Sequence, residues 1–237
     1  MGEMTANIGN ALLYFAAFLF STTLHEAAHA WAALRGGDQT AYLGGQVSLD
    51  PMPHIRREPI GMVALPLLTA LLTGWPFGYA SAPYDPAWAR RHPDRAAWMA
   101  LAGPGANLLL VLLSGAALRA GTSAGVFVAP DTISFGAVSQ SLAGAGWETV
   151  GLLLGVMFSL NLLLTVFNLI PLPPLDGSAA LTLLLPDRLV ARYQEVIWTT
   201  PMLGWVGIFV AWQVIPVVFQ PVFTTAVNLV YPGASYS

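Results

Sequence analysis

An apolar stretch from Ile8 to Leu34 encloses His25-Glu26-Ala27-Ala28-His29 near its C-terminal end. About 20 apolar residues cross a hydrocarbon core as a helix, so this stretch is long enough to span. A bilayer demands that backbone amides and carbonyls be bonded within the segment, which makes a helix the fold for a single crossing. On that helix, two histidines four residues apart share one face, and both imidazoles can reach one metal ion. Glu26 lies beside the first histidine, where its carboxylate could take a proton from water activated by the metal. Ionisable groups are costly at such depth and mark function by default. The reading is metal chemistry, of the zinc type, inside a membrane.

The composition agrees with the membrane half of that reading. Hydrophobic residues make up 56% of the 237 and charged residues only 9%, where a soluble domain carries about a quarter charged. The nine basic residues are all arginine. Cysteine is absent, so disulfides, thiolate metal sites and thiol nucleophiles are excluded, and a metal must be held by His, Asp or Glu. A net charge of −3 argues against a nucleic-acid partner. The first ten residues hold Glu3 and no basic residue, so the N-terminus is not expected to be a removable signal.

Four further apolar segments follow: Ile60–Ala80, Ala96–Leu118, Thr149–Ile170 and Met202–Val230. The third segment of the chain is expected to begin in earnest near Gly103-Pro104. The last holds Pro216 and Pro221 and reads as one kinked helix or two shorter pieces. Arginines sort the loops. Residues 35–59 hold Arg35, Arg56 and Arg57; residues 81–96 hold Arg90, Arg91 and Arg95; residues 186–201 hold Arg188 and Arg192. Residues 120–148 hold none. The positive-inside rule puts the arginine-bearing loops in the cytoplasm and 120–148 outside. The loops flanking Ile60–Ala80 then share a side, so that segment should dip in and return. Its Pro66, Gly74 and Pro76 suit a re-entrant element that protein buries. The expected fold is a polytopic α-helical membrane protein, roughly four to six membrane segments, with a re-entrant segment and a small β-hairpin element. A single domain over 1–237 is expected, its core about 8–185 and its last membrane segments about 202–230.

A second chemical motif follows the fourth span: Asn168-Leu-Ile-Pro171-Leu-Pro173-Pro174-Leu-Asp176-Gly177. The prolines end the helix and favour extended backbone, and Gly177 gives the turn conformational freedom. An aspartate just past a span, in a chain that needs one more oxygen ligand, is the natural third partner for zinc. Two histidines and one carboxylate leave the fourth position to water, the pattern of a catalytic site.

HExxH in a membrane helix followed by NxxPxxPLDG resembles the site-2 protease family of intramembrane zinc metalloproteases. Ala102-Gly103-Pro104-Gly105-Ala106-Asn107 resembles that family's Gly-Pro-x-x-Asn helix start between the two motifs. The resemblance implies His25, His29 and Asp176 as ligands of one Zn²⁺ per chain, and Glu26 as the catalytic acid and base. It implies a substrate-positioning or oxyanion role for Asn168. It further implies endoproteolysis of transmembrane protein substrates, in or near their membrane segments, by a multi-pass protein of a prokaryotic plasma membrane, as in regulated signalling. Ala28 stands where the family usually has glycine, and Ser178 where a second glycine is common. Both are small-for-small changes that leave the ligand set intact. Without a segment for a PDZ or CBS domain, the chain resembles the family's minimal branch.

Two other functions fit parts of the same pattern: a zinc-binding pseudoprotease that holds clients without cutting them, and a transporter whose path His25, Glu26 and His29 line. Intact Glu26 counts against the first, and the lack of an internal duplication against the second. His54 and His92, each beside proline in an arginine-bearing loop, read as interfacial hydrogen-bonding groups. Trp75, Trp88 and Trp98 read as interfacial anchors, and Asn107 and Asn161 as bonds between helices. Thr40–Leu49 reads as two short strands around Gly44-Gly45, a hairpin near the cytoplasmic face whose free edge could receive an extended substrate.

Overall fold

The computed structural model describes residues 2–236, with side chains from residue 8 onward. Ten α-helices and two strands follow one another among these residues. They are α1 (Gly2–Arg35), α2 (Thr40–Leu43), α3 (Pro51–Arg57), α4 (Leu65–Thr73), α5 (Pro86–Arg91) and α6 (Pro93–Ser123), then β1 (Phe127–Val128) and β2 (Gln140–Ser141). The remainder are α7 (Ala145–Asn168), α8 (Asp176–Ala180), α9 (Asp187–Thr199) and α10 (Met202–Val230). Four of them are long and apolar enough to cross a membrane: Ile8–Arg35, Pro93–Ser123, Ala145–Asn168 and Met202–Val230. The shortest has 24 residues and reaches about 36 Å, beyond the roughly 30 Å of a hydrocarbon core. The chain is a polytopic helical membrane protein with one small antiparallel strand pair.

Helix α6 is the central post, packing most extensively against α7 and α1. Val111, Leu118, Phe158, Leu162, Phe223 and Val227 join α6, α7 and α10 in the largest apolar cluster. Ala17, Phe18, Val156 and Leu160 join α1 to α7. The start of α6 is not at Gly103-Pro104 as expected. Pro93 begins it, in the first turn where a missing amide costs nothing, and Pro104 lies buried inside the helix. Thr165 of α7 donates to the Pro104 carbonyl at 3.4 Å, so the neighbouring span supplies polar contact at the interruption.

Ile60–Ala80 goes in as a helix and comes back as extended chain. A π-helical turn of five residues (Ile60–Ala64) and the nine of α4 rise about 20 Å together, short of a full core. Gly74, at φ +77°, ends α4 in the left-handed region that glycine adopts without strain. Hydrogen bonds tie the returning chain to the descending helix. The Phe77 amide donates to Thr69 Oγ1 at 2.8 Å and the Tyr79 amide to the Gly61 carbonyl at 3.1 Å. A Cβ on Gly61 would overlap that tyrosine's carbonyl. At the tip, Trp75 meets Tyr14 and Phe135 edge-on, at centroid distances of 4.9 and 3.9 Å.

The ends of the spans fix their directions. Arg119, at the end of α6, donates to the Val230 carbonyl at the end of α10, 3.0 Å away. Helices α6 and α10 therefore run the same way, and α10 is one continuous helix with Pro216 and Pro221 inside it. At the opposite end, Trp88 and Arg95 donate to the Gly36 carbonyl just beyond α1, at 3.0 and 3.1 Å.

Thr40–Leu49 is not a hairpin. The Asp38 carboxylate accepts from the Thr40 amide at 2.9 Å and its hydroxyl at 2.6 Å. That contact starts the single turn of α2, which buries Ala41, and Gly44-Gly45 closes it. An amide so satisfied has no call for a strand partner. The strand pair lies instead between α6 and α7, with Phe127 opposite Ser141 and Val128 opposite Gln140. Trp88 is also no interfacial anchor. It is buried with Ala33, Ala89 and Met99, while Trp98, 63% exposed, does face outward.

Candidate metal centre

His25 and His29 lie one turn apart on α1, and their Nε2 atoms face each other at 2.9 Å. The Asp176 carboxylate closes the group, its oxygens 3.2 Å from His25 Nε2 and 3.4 Å from His29 Nε2. One ligand atom from each residue lies within 4.8 Å of the others. Both histidines are buried. Neither histidine is in contact with Asp176 through sequence; the turn after α7 carries it across.

What surrounds the imidazoles selects the tautomer each adopts as a neutral ring. His29 Nδ1 faces the Met99 carbonyl at 2.8 Å, an acceptor only, so Nδ1 carries the hydrogen. His25 Nδ1 faces the side-chain oxygen of Asn107. The Asn107 amide nitrogen donates to Asn161 Oδ1 at 2.8 Å, which turns its oxygen toward the histidine. Asn161 in turn donates to Ser21 Oγ at 2.9 Å and to the Met157 carbonyl at 2.7 Å. With both Nδ1 atoms donating, the neutral rings turn their Nε2 lone pairs toward one another and toward a carboxylate. Such a set repels itself unless a cation lies among its members, and support of a ligand's far nitrogen is the usual arrangement around a bound metal. Gly103 makes room for the two rings, since a Cβ there would overlap both Nε2 atoms. The residues fit a zinc ion: nitrogen and oxygen donors, three in number, with a position left open.

Asp176 is set in place by close approach. A Cβ on Gly177 would overlap the carbonyls of Leu169 and Ile170 at the end of α7. Gly177 is thus needed for space rather than for unusual backbone angles, its φ not being positive. Residues 169–174 form successive turns, with Leu172 N bonded to the Ile170 carbonyl at 2.8 Å and Leu175 N to that of Leu172 at 2.9 Å, and the expected extended backbone is confined to Leu175 (φ −70°, ψ 153°), just before Asp176. Glu26 is buried beside His25, and its Oε2 has no hydrogen-bond partner among the described residues. Asp176 Oδ2 is likewise without one. A carboxylate oxygen left unpaired in such a site is costly unless a ligand or water completes it.

Asn168 is not part of this group. It ends α7, partly buried, and its Nδ2 donates to the Leu164 carbonyl at 3.0 Å. His54 is buried and faces the Ser48 carbonyl at 3.1 Å; His92 precedes α6 beside Trp88. Neither joins the cluster. Asn107 and Asn161 do bond between helices as expected, but Asn107 also meets His25 Nδ1, which the spacing alone did not reveal. Its one signal was its place in Gly103-Pro104-x-x-Asn107. The Met99 carbonyl had no signal, since every residue carries one.

A helical membrane protein with two histidines of one span and an aspartate from beyond another, converging on a buried point, belongs to the class of intramembrane metalloproteins. The chain belongs to peptidase family M50, the site-2 proteases, whose family model matches residues 13–207. YwhC of Bacillus subtilis (strain 168), a proposed zinc metalloprotease by name, is 27% identical over 208 residues, covering 83% of each chain. Rip2 of Mycobacterium tuberculosis (strain H37Rv), another proposed zinc metalloprotease, is 34% identical over 178 residues, 74% of this chain and 58% of its own. The Mycolicibacterium smegmatis Rip2 is 29% identical over 174 residues, again 58% of its length. The chain thus spans little more than half of the Rip2 proteins. No solved structure matches it.

Proposed function

We propose that this protein is a zinc-dependent intramembrane endopeptidase that hydrolyses peptide bonds in or near the transmembrane segments of membrane-protein substrates. The observation that carries the reading is the meeting of His25, His29 and Asp176 at one buried point, with Glu26 beside them. These three residues would hold one Zn²⁺. When bound there, zinc supplies Lewis acidity, which makes hydroxide usable near neutral pH and polarises the scissile carbonyl. Glu26 accepts the proton of the attacking water and delivers it to the leaving amine; its unpartnered Oε2 is the atom free to do so. Asn107 and the Met99 carbonyl hold the two imidazoles in the donor-outward tautomer. Asn168 remains the proposed substrate-positioning group. One hydrogen of its amide is held by Leu164, which leaves the other hydrogen and the oxygen for substrate. The strand-addition role expected of Thr40–Leu49 falls with the hairpin. Cellular placement in a prokaryotic plasma membrane rests on the bacterial relatives, and the cytoplasmic side of the metal centre on the arginine loops.

The test combines metal analysis with cleavage of membrane-anchored reporter proteins by the purified chain. One zinc per chain is expected in the parent, with strong loss in His25→Ala, His29→Ala and Asp176→Ala. Glu26→Gln should keep zinc and fold while losing cleavage by at least 100-fold, the lower range for an acid–base group. Zinc without cleavage in the parent would point to a pseudoprotease, and a parent free of zinc to a transporter.

A further inference from the structure

We propose that α9 is a clamp that holds Asp176 in register with His29, with Tyr193 and Trp198 as its two positioning residues; this rests on the zinc reading above. Helix α8, which begins with Asp176, is five residues long, and a single turn has little stability of its own. It packs against α6, and α9 adds a side-chain tie from the other direction in the chain. Tyr193 Oη donates to the Ser178 carbonyl at 2.9 Å, two residues past the aspartate. Burial pushes the Tyr193 phenol above its usual pKa, so it stays a donor.

The other end of α9 reaches the support of a second ligand. Trp198 packs against the cluster of Ala33, Trp88, Ala89 and Met99, and the Met99 carbonyl is the group that orients His29. Arg90 of α5 lies 4.9 Å over the Trp198 ring, within cation–π distance. Five residues of helix, about 7.5 Å of rise, therefore tie the turn that carries Asp176 to the carbonyl that directs His29. His29 and Asp176 are far apart in the sequence, and α9 touches both the turn that begins with Asp176 and the cluster that contains Met99. A shift of α9 changes their separation, so metal retention follows the seating of this helix.

The clamp predicts that Tyr193→Phe and Trp198→Leu release zinc to excess chelator at least tenfold faster than the parent, the lower range for loss of a ligand's support. Leu189→Ala, at a position 43% exposed on the same helix, should release zinc at the parental rate. Hydrogen–deuterium exchange of the metal-free full chain gives an independent readout. Tyr193→Phe should speed exchange across 176–180 and leave α6 unchanged. Parental zinc release together with parental exchange in Tyr193→Phe overturns the clamp, and that variant decides alone if Trp198→Leu fails to fold. A parent without zinc overturns the reading under Proposed function instead. Exchange then still decides: faster in Tyr193→Phe supports the tie from α9 to α8, and unchanged removes it.

Discussion

The Tyr79 amide donates to the Gly61 carbonyl at 3.1 Å, so the second apolar segment leaves the protein where it enters. The spans then keep the parity that the metal centre needs. Were Ile60–Ala80 to cross, α1 and α7 would end on opposite faces, and Asp176 would lie most of a roughly 30 Å core away from the histidines. The dip puts both ends together. Cysteine can report this cleanly, because the chain has none of its own. Exposed positions Gln39 and Tyr84 flank the dip, and exposed Asp131 lies between α6 and α7. Gln39→Cys and Tyr84→Cys should label with a membrane-impermeant maleimide from the cytoplasmic side, and Asp131→Cys from outside. Labelling of the first two from opposite sides would refute the re-entrant arrangement.

Asn107→Leu removes the acceptor that directs His25 while leaving all three proposed ligands present. Zinc affinity should fall by about 10–100-fold. The variant also strands Asn161, so unfolding should become easier by about 1–3 kcal/mol. Competition with a chromogenic chelator reads the first effect and denaturation in detergent the second. An affinity equal to the parent's would remove Asn107 from the metal centre.

Gly103 and Gly105 are neighbours in α6 with opposite expectations. A Cβ at Gly103 overlaps both Nε2 atoms, whereas one at Gly105 meets nothing within 4 Å. Gly103→Ala should lose bound zinc and cleavage. Gly105→Ala should keep both and gain stability by up to about 1 kcal/mol, the helix preference for alanine over glycine. Zinc content of the two purified variants, measured side by side, checks the contrast; full zinc in Gly103→Ala would show that the space in front of the histidines is not needed.

Much of the site was legible because its signals are local. His25 and His29 share a helix face by spacing, and Ile8–Leu34 is a span by hydropathy. Asp176 was reachable only by adding a constraint, the need for a third oxygen ligand at the same depth, and the arginine loops supplied the parity. Thr40–Leu49 misled because a Gly-Gly turn between β-tolerant residues looks the same whether or not an aspartate two residues upstream claims the first amide. The long last segment was ambiguous for a similar reason: Pro216 and Pro221 break a helix in isolation, yet α10 runs through both.

The sequence by itself determined which stretches are long and apolar enough to cross a membrane and which residues are candidates to bind metal, since hydropathy and helical periodicity depend on neighbours in the chain. Only the tertiary structure decided what makes those residues a centre. Asn107 turns its oxygen to His25 because Asn161, on another helix, takes its nitrogen. Gly103 is open because two imidazoles from α1 occupy the space a side chain would fill. Tyr193 reaches Ser178 because α9 folds back over the turn it follows. Each is a contact between residues far apart in sequence, whose partners are set by packing, and no local pattern encodes them.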